Sequence, residues 1–243
     1  MSGHSHAKTV KATKDANAAV RGKIFSKMAR LISLAAKEGG NLDFNSKLKQ
    51  SVEVARKFNM PKENIERAIK RGTGELEGEK LEPIVVEILG PGGINIIVEG
   101  ITDNKNRSLG EIKQISQKRN AKLANEGSVK WQFDQVGIIS TPAIPESRKE
   151  EGEMLAIEAG ASDIKWQTDD GQSYLEIITK PEELAVVKKS LEEKGFKIES
   201  VSLGWSAKEE IEAHGNDKET LEKLFEDLDE NDSVQNIYSN LKN

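Results

Sequence analysis

Along the first third of the chain the apolar positions recur at helical spacing. Ile24, Met28, Leu31, Ile32 and Ala35 form one stripe, which predicts a helix over residues 17–38 that Gly39-Gly40 ends. Counted at about 100° per residue from Ile24, the stripe lies between about −20° and 80°, whereas Lys23, Arg30 and Lys37 fall at about 220–260°, on the far side. Leu48, Val52 and Ala55 predict a second helix over 44–58. Asn59-Met60-Pro61 breaks the chain, Pro61 suits the first turn of a third helix, and Gly72 is read as the residue that ends it. That helix buries Ile65, Ala68 and Ile69 and turns Arg67, Lys70 and Arg71 the opposite way. Three short amphipathic helices with short connections predict a small bundle.

Beyond Gly72 the period changes. The Gly- and Glu-rich stretch to Pro83 is read as a linker, and Ile84–Leu89 and Ile94–Gly100 as strands of a hairpin around Gly90-Pro91-Gly92-Gly93. A helix follows, with Ser108 as its cap and Glu111 completing a capping box. Strands are expected at Ser128–Phe133 and Val136–Ser140, split by Asp134-Gln135. A helix near 147–159, strands near 163–168 and 173–179, a helix at 182–194 and a strand at 197–204 come next. With the strand at 136–140 they give β-α-β-β-α-β, the ferredoxin-like order. A last helix at 217–229 and a strand around Val234–Tyr238 would complete the β-β-α-β of the middle region. The expected fold class is therefore α+β: an N-terminal three-helix bundle (1–76) followed by two ferredoxin-like α/β domains. The first of these is discontinuous (77–134 and 206–243), and the second (135–205) is inserted into it.

Charge changes this picture more than composition does. The net charge of −5 hides an asymmetry, since residues 1–73 hold 16 Lys+Arg against 6 Asp+Glu and the rest hold 20 against 35. A basic module on an acidic body points to a polyanionic partner. Each cation that meets a phosphate releases counterions, and several together give salt-dependent binding that positions a protein without reading sequence. Lys8, Lys11, Lys14 and Arg21 before or at the start of the first helix, Lys23, Lys27 and Arg30 along it, and Arg67, Lys70 and Arg71 on the third are the candidate contacts. Phe25, Phe44 and Phe58 are the only aromatics of this domain, so base stacking is expected to be secondary to backbone contact. Asp103–Ser108 offers a second cationic corner through Lys105 and Arg107, and helix capping accounts for that segment equally well.

Other chemistries find little support. Gly90-Pro91-Gly92-Gly93 lacks the Lys-Ser/Thr of a P-loop and leads into a strand. There is no Cys, no nucleophile elbow and no His-Glu-x-x-His; His4 and His6 make too small a ligand set, and His214 stands alone. The 11 Asp+Glu of residues 209–232 lie on a helix that buries Leu221, Leu224, Phe225 and Leu228, which favours a solvated face over an acid–base pair. No catalytic residue, metal or cofactor is expected. No apolar run spans a bilayer and the first residues lack a secretory h-region, so a cytoplasmic location without membrane contact is expected.

Several blocks resemble the YebC family: Gly3-His4-Ser5, Arg21–Lys27, the stretch Asn59–Gly72, Gly90–Gly93, Thr102–Ser108 and Gly127–Phe133. The resemblance runs in order over essentially the whole chain. It implies a three-domain regulator of gene expression without catalytic activity, acting on DNA as a transcriptional regulator or on RNA at the ribosome as a translation factor. The partner implied is DNA or ribosomal RNA, with the acidic α/β domains available to the ribosome or another protein. The chain departs from the family pattern at His6-Ala7 and Lys11-Ala12-Thr13-Lys14, where a tryptophan and two cations are missing. A protein–protein adaptor driven by charge asymmetry, with no direct nucleic-acid binding, is the alternative.

Overall fold

A computed structural model describes residues 18–78, 80–169 and 171–242. It divides into two compact units. Among the described residues, one comprises Ala18 to Val129 together with Ala213–Ile237, and the other comprises Lys130–Glu212 with the residues from Tyr238 to Lys242. The described residues form a mixed α+β fold with two four-stranded sheets.

The first unit begins with α1 (Ala18–Ala36), α2 (Ser46–Lys57) and α3 (Lys62–Thr73). Ile24, Met28, Ile32, Leu48, Val52, Ala55, Ile65 and Ala68 share one buried cluster. Asn45 joins the first two helices. Its side-chain oxygen accepts from Leu48 N at the start of α2, and its amide donates to the carbonyls of Ala35 and Gly39 at the end of α1. The expected end of α3 at Gly72 is corrected: the helix runs through Gly72 to Thr73, and Gly74, with φ of 81°, provides the left-handed cap. Gly72 is small for a different reason. A Cβ there would lie 2.3 Å from the Ser33 carbonyl oxygen and 2.5 Å from the Ala36 Cβ, so it lets α3 press against the backbone of α1. Beside it the Ser33 hydroxyl donates to the Ala68 carbonyl at 2.8 Å.

β1 (Glu82–Leu89) and β2 (Asn95–Thr102) form an antiparallel hairpin whose turn places Gly92 and Gly93 at positive φ. α4 (Lys105–Lys118) follows. The capping box at Ser108 is corrected: Asn104 caps the helix by accepting from Arg107 N, and Ser108 lies inside it, fully buried. The Ser108 hydroxyl stands between those of Thr102 (2.7 Å) and Ser233 (2.8 Å). β3 (Lys122–Leu123) is a short strand that alternation could not reveal. The strand expected at Ser128–Phe133 is also corrected. Residues 130–132 form a single 3-10 turn, and the buried Glu87 carboxylate accepts from Gly127 N and Val129 N, which ties the preceding loop to β1. After the second unit the chain returns as α7 (Asn216–Asp229), and β8 (Val234–Ser239) then takes its place beside β2. The strand order is β3-β1-β2-β8.

The second unit carries β4 (Phe133–Ser140), unbroken at Asp134-Gln135, then α5 (Lys149–Ala159), β5 (Asp163–Asp169), β6 (Gln172–Thr179), α6 (Leu184–Glu193) and β7 (Ser200–Ala207). The order β5-β6-β4-β7, antiparallel throughout, is the ferredoxin-like arrangement. Ile139, Ala156, Leu175, Ile177, Val187 and Leu191 form its core. On the opposite face of the sheet, Gly204 leaves room for Tyr238.

Candidate nucleic-acid interface

The cations expected to bind phosphate do not share one fate. Lys27 is 6% exposed, and its ammonium donates to the Asp229 carboxylate at 2.8 Å and to the Asp229 carbonyl at 2.6 Å. Arg30 is half-buried and donates to the Ile101 carbonyl at 3.0 Å and the Ser233 hydroxyl at 3.4 Å. Lys37 donates to the Leu81 carbonyl. Lys27 and Arg30 therefore already have partners within this unit. The back of α1 does not face solvent alone; it docks the bundle onto β2, α7 and the loop before β8, and these side chains are already occupied there. Lys23 remains largely exposed, with a long 3.6 Å pair to Glu230 that adds little at such exposure. Arg21 is exposed, and Lys8, Lys11 and Lys14 lie outside the described residues.

At the second corner, Arg107 pairs with Asp103 and, at 3.8 Å, with Glu111. Lys105 is exposed. Asn104 caps α4 by accepting from Arg107 N.

The third helix behaves differently. Arg67, Lys70 and Arg71 are all exposed, and their side chains form no hydrogen bond or ion pair with any described residue. They lie within about one turn of helix, with Arg67 and Arg71 roughly 6 Å apart along its axis. Arg67 and Arg71 also border a hollow. The backbones of α1 and α3 meet at Gly72, and nearer the start of both helices a space of about 350 Å³ is lined by Gly22, Phe25, Ser26 and Ala29 on one side and Met60, Asn64, Arg67 and Arg71 on the other. A neighbouring hollow of about 220 Å³ shares Ser26, Ala29 and Arg71 and continues to Ser33, Lys37 and Leu81. A nonpolar floor and a cationic rim can take an anionic group that carries a flat apolar part.

Sequence reasoning missed the α1 wall of this hollow. Its signal was present: Gly22, Ser26, Ala29 and Ser33 recur every three or four residues at about 140–200° from Ile24, between the apolar stripe and the cations. Among the described residues, no group of His, Asp or Glu side chains is placed to hold a metal ion, and no helix is long and apolar enough to cross a membrane.

Comparison with known proteins agrees with this architecture. Residues 5–75 match the TACO1/YebC protein N-terminal domain, and residues 81–241 match the TACO1/YebC second and third domain. A probable transcriptional regulatory protein of Caldanaerobacter subterraneus is 45% identical over 243 residues, covering 100% of this chain and 98% of its own. One from Thermotoga maritima is 42% identical, covering 100% and 94%. The crystal structure of a conserved hypothetical protein from Aquifex aeolicus is similar with a TM-score of 0.83 at 39% identity, covering 93% of this chain and 91% of that one. Matched in two consecutive blocks over almost its whole length, the chain belongs to the TACO1/YebC family.

Proposed function

We propose that this chain is a non-enzymatic regulator of gene expression that binds nucleic acid through the exposed face of α3. Arg67, Lys70 and Arg71 are the principal phosphate contacts, and Arg21 and Lys23 extend the surface. The observation that carries this reading is the contrast between the two cationic helices. Lys27 and Arg30 of α1, and Lys37 just past its end, are tied to groups of the same unit, whereas the cations of α3 are held ready and unneutralised. The names of the relatives as probable transcriptional regulatory proteins support the regulatory part of the reading. We read the chain as three domains, with residues 1–76 as the binding module and 135–205 inserted between 77–134 and 206–243.

Reversing Arg67, Lys70 and Arg71 to Glu should abolish binding of the full chain to both a DNA duplex and a structured RNA, with an unchanged melting temperature. Loss of three phosphate contacts should also flatten the plot of log affinity against log salt by roughly two to three units, where any binding remains to be measured. An unaltered affinity and salt slope would remove α3 from the interface and favour a protein–protein adaptor. Crosslinking in cells, followed by sequencing of the bound nucleic acid, separates the two arms of the reading: promoter DNA indicates transcription, and ribosomal RNA indicates translation.

A further inference from the structure

We propose that the hollow between α1 and α3 seats an unpaired nucleotide of a single strand, with phosphates on Arg67 and Arg71 and the base against Phe25, Ala29 and Met60. This rests on the reading of α3 as the phosphate-binding face and adds what that face selects. Two free guanidiniums one helical turn apart track a flexible backbone, and each can hold a phosphate oxygen pair in bidentate fashion. Between them and α1 lies a volume of about 350 Å³ with an apolar floor. A duplex has nothing to put there, because its bases are stacked inside and only phosphates and groove edges face outward. An unpaired strand presents a flat, largely apolar base beside each phosphate, which matches a cationic rim over an apolar floor. Asn64, with both donor and acceptor atoms, lines the same space and can meet a base edge.

The small residues of α1 keep the space open. Gly22, Ser26 and Ala29 face it where longer side chains would fill it; Gly22 and Ser26 are exposed, while Ala29 packs partly against the bundle core. The second hollow continues the path along α1 past Arg71. From Gly22 to Ala36 the helix offers about 21 Å of wall, long enough for a few nucleotides. α1 itself is poorly suited to enter a major groove, because its opposite side is held by Asp229 and Ile101.

The test uses the full chain with labelled oligouridylate and oligothymidylate of about 12 nucleotides, and a mixed-sequence DNA duplex of the same length. The single strands are expected to bind at least tenfold more tightly than the duplex. Ser26→Leu and Ala29→Leu, made separately, should each weaken single-strand binding about tenfold and leave duplex binding unchanged. Equal affinity for duplex and strand, or unaltered strand binding in both variants, overturns the proposal. If the Leu variants bind normally while the triple Glu reversal on α3 does not, the hollow is excluded and the phosphate face stands; if the reversal also binds normally, both readings fall. A measurement on the unmodified chain guards against misfolded variants. Oligouridylate carrying 4-thiouridine should photocrosslink within residues 22–29 or 60–68, and crosslinks confined to other segments would overturn the proposal.

Discussion

Gly72 sets the distance between two helices by lacking a side chain. Its Cα faces the Ser33 carbonyl and Ala36, with no room for one more carbon. Gly72→Ala should therefore push α3 away from α1 and destabilise the protein by about 1–3 kcal/mol, read from urea denaturation. Gly74, two residues on, gives a contrast. A Cβ there meets nothing, and its substitution by Ala should cost only about 1 kcal/mol, from the left-handed backbone. The two glycines look alike in the sequence, and only the neighbour across the gap tells them apart. A glycine near the end of a helical pattern is compatible with both a cap and a close approach, so the helix was legible and the role of Gly72 was not.

Periodicity located the elements well, because burial on one face imposes it. α1, α2, α3 and α7 lie within a few residues of the apolar patterns that predict them. The junctions were less legible, since several residues compete for one job. Asn104 and Ser108 are both good caps, and the choice fell to Asn104 because Ser108 has buried hydroxyl partners from β2 and the loop before β8. Residues 128–133 alternate like a strand, yet Glu87 holds the loop before them by its amides, a contact across about 40 residues that local pattern cannot encode. Between α4 and α7 the Arg119 guanidinium donates to Asp227 at 2.8 Å. That hydrogen bond holds the Asp227 carboxyl below its ordinary value of 3.8, and Lys118 adds a smaller attraction. The unfolded chain then binds the proton more readily than the folded one, so the pair stabilises the protein above about pH 4, and this is lost as pH falls through the depressed value. Asp227→Asn should cost at most about 1 kcal/mol at neutral pH, and the difference from wild type should shrink toward pH 3 in denaturation curves collected across that range.

At the scale of the molecule, the charge asymmetry of the sequence divides into two uses. Part of it is internal complementarity: basic α1 meets the end of acidic α7 through Lys27 and Asp229, and Lys23 approaches Glu230. A count of charges cannot distinguish a cation awaiting phosphate from one that a carboxylate 202 residues away already holds. The remainder, on α3, stays open. Lys27→Met should therefore separate stability from binding. It leaves the Asp229 carbonyl and carboxylate without their partner, lowering stability by about 1–3 kcal/mol, while affinity for nucleic acid stays within about twofold of wild type. A large loss of affinity with unchanged stability would return Lys27 to the binding face.

The seat of β8 beside β2 also orders events in time. Asn236 reaches Glu99 at a separation of 137 residues, and Lys27 waits for Asp229 across a longer span still. While the chain is being made, the ferredoxin-like unit has all six elements from β4 to β7 before α7 and β8 emerge from the ribosome, whereas β2 remains an open sheet edge. Closing a loop of that length is slow relative to the local contacts within it. The newborn protein therefore passes through an interval in which its bundle lacks its contacts with α7 and an apolar strand edge is uncovered, when a holding chaperone would find its target.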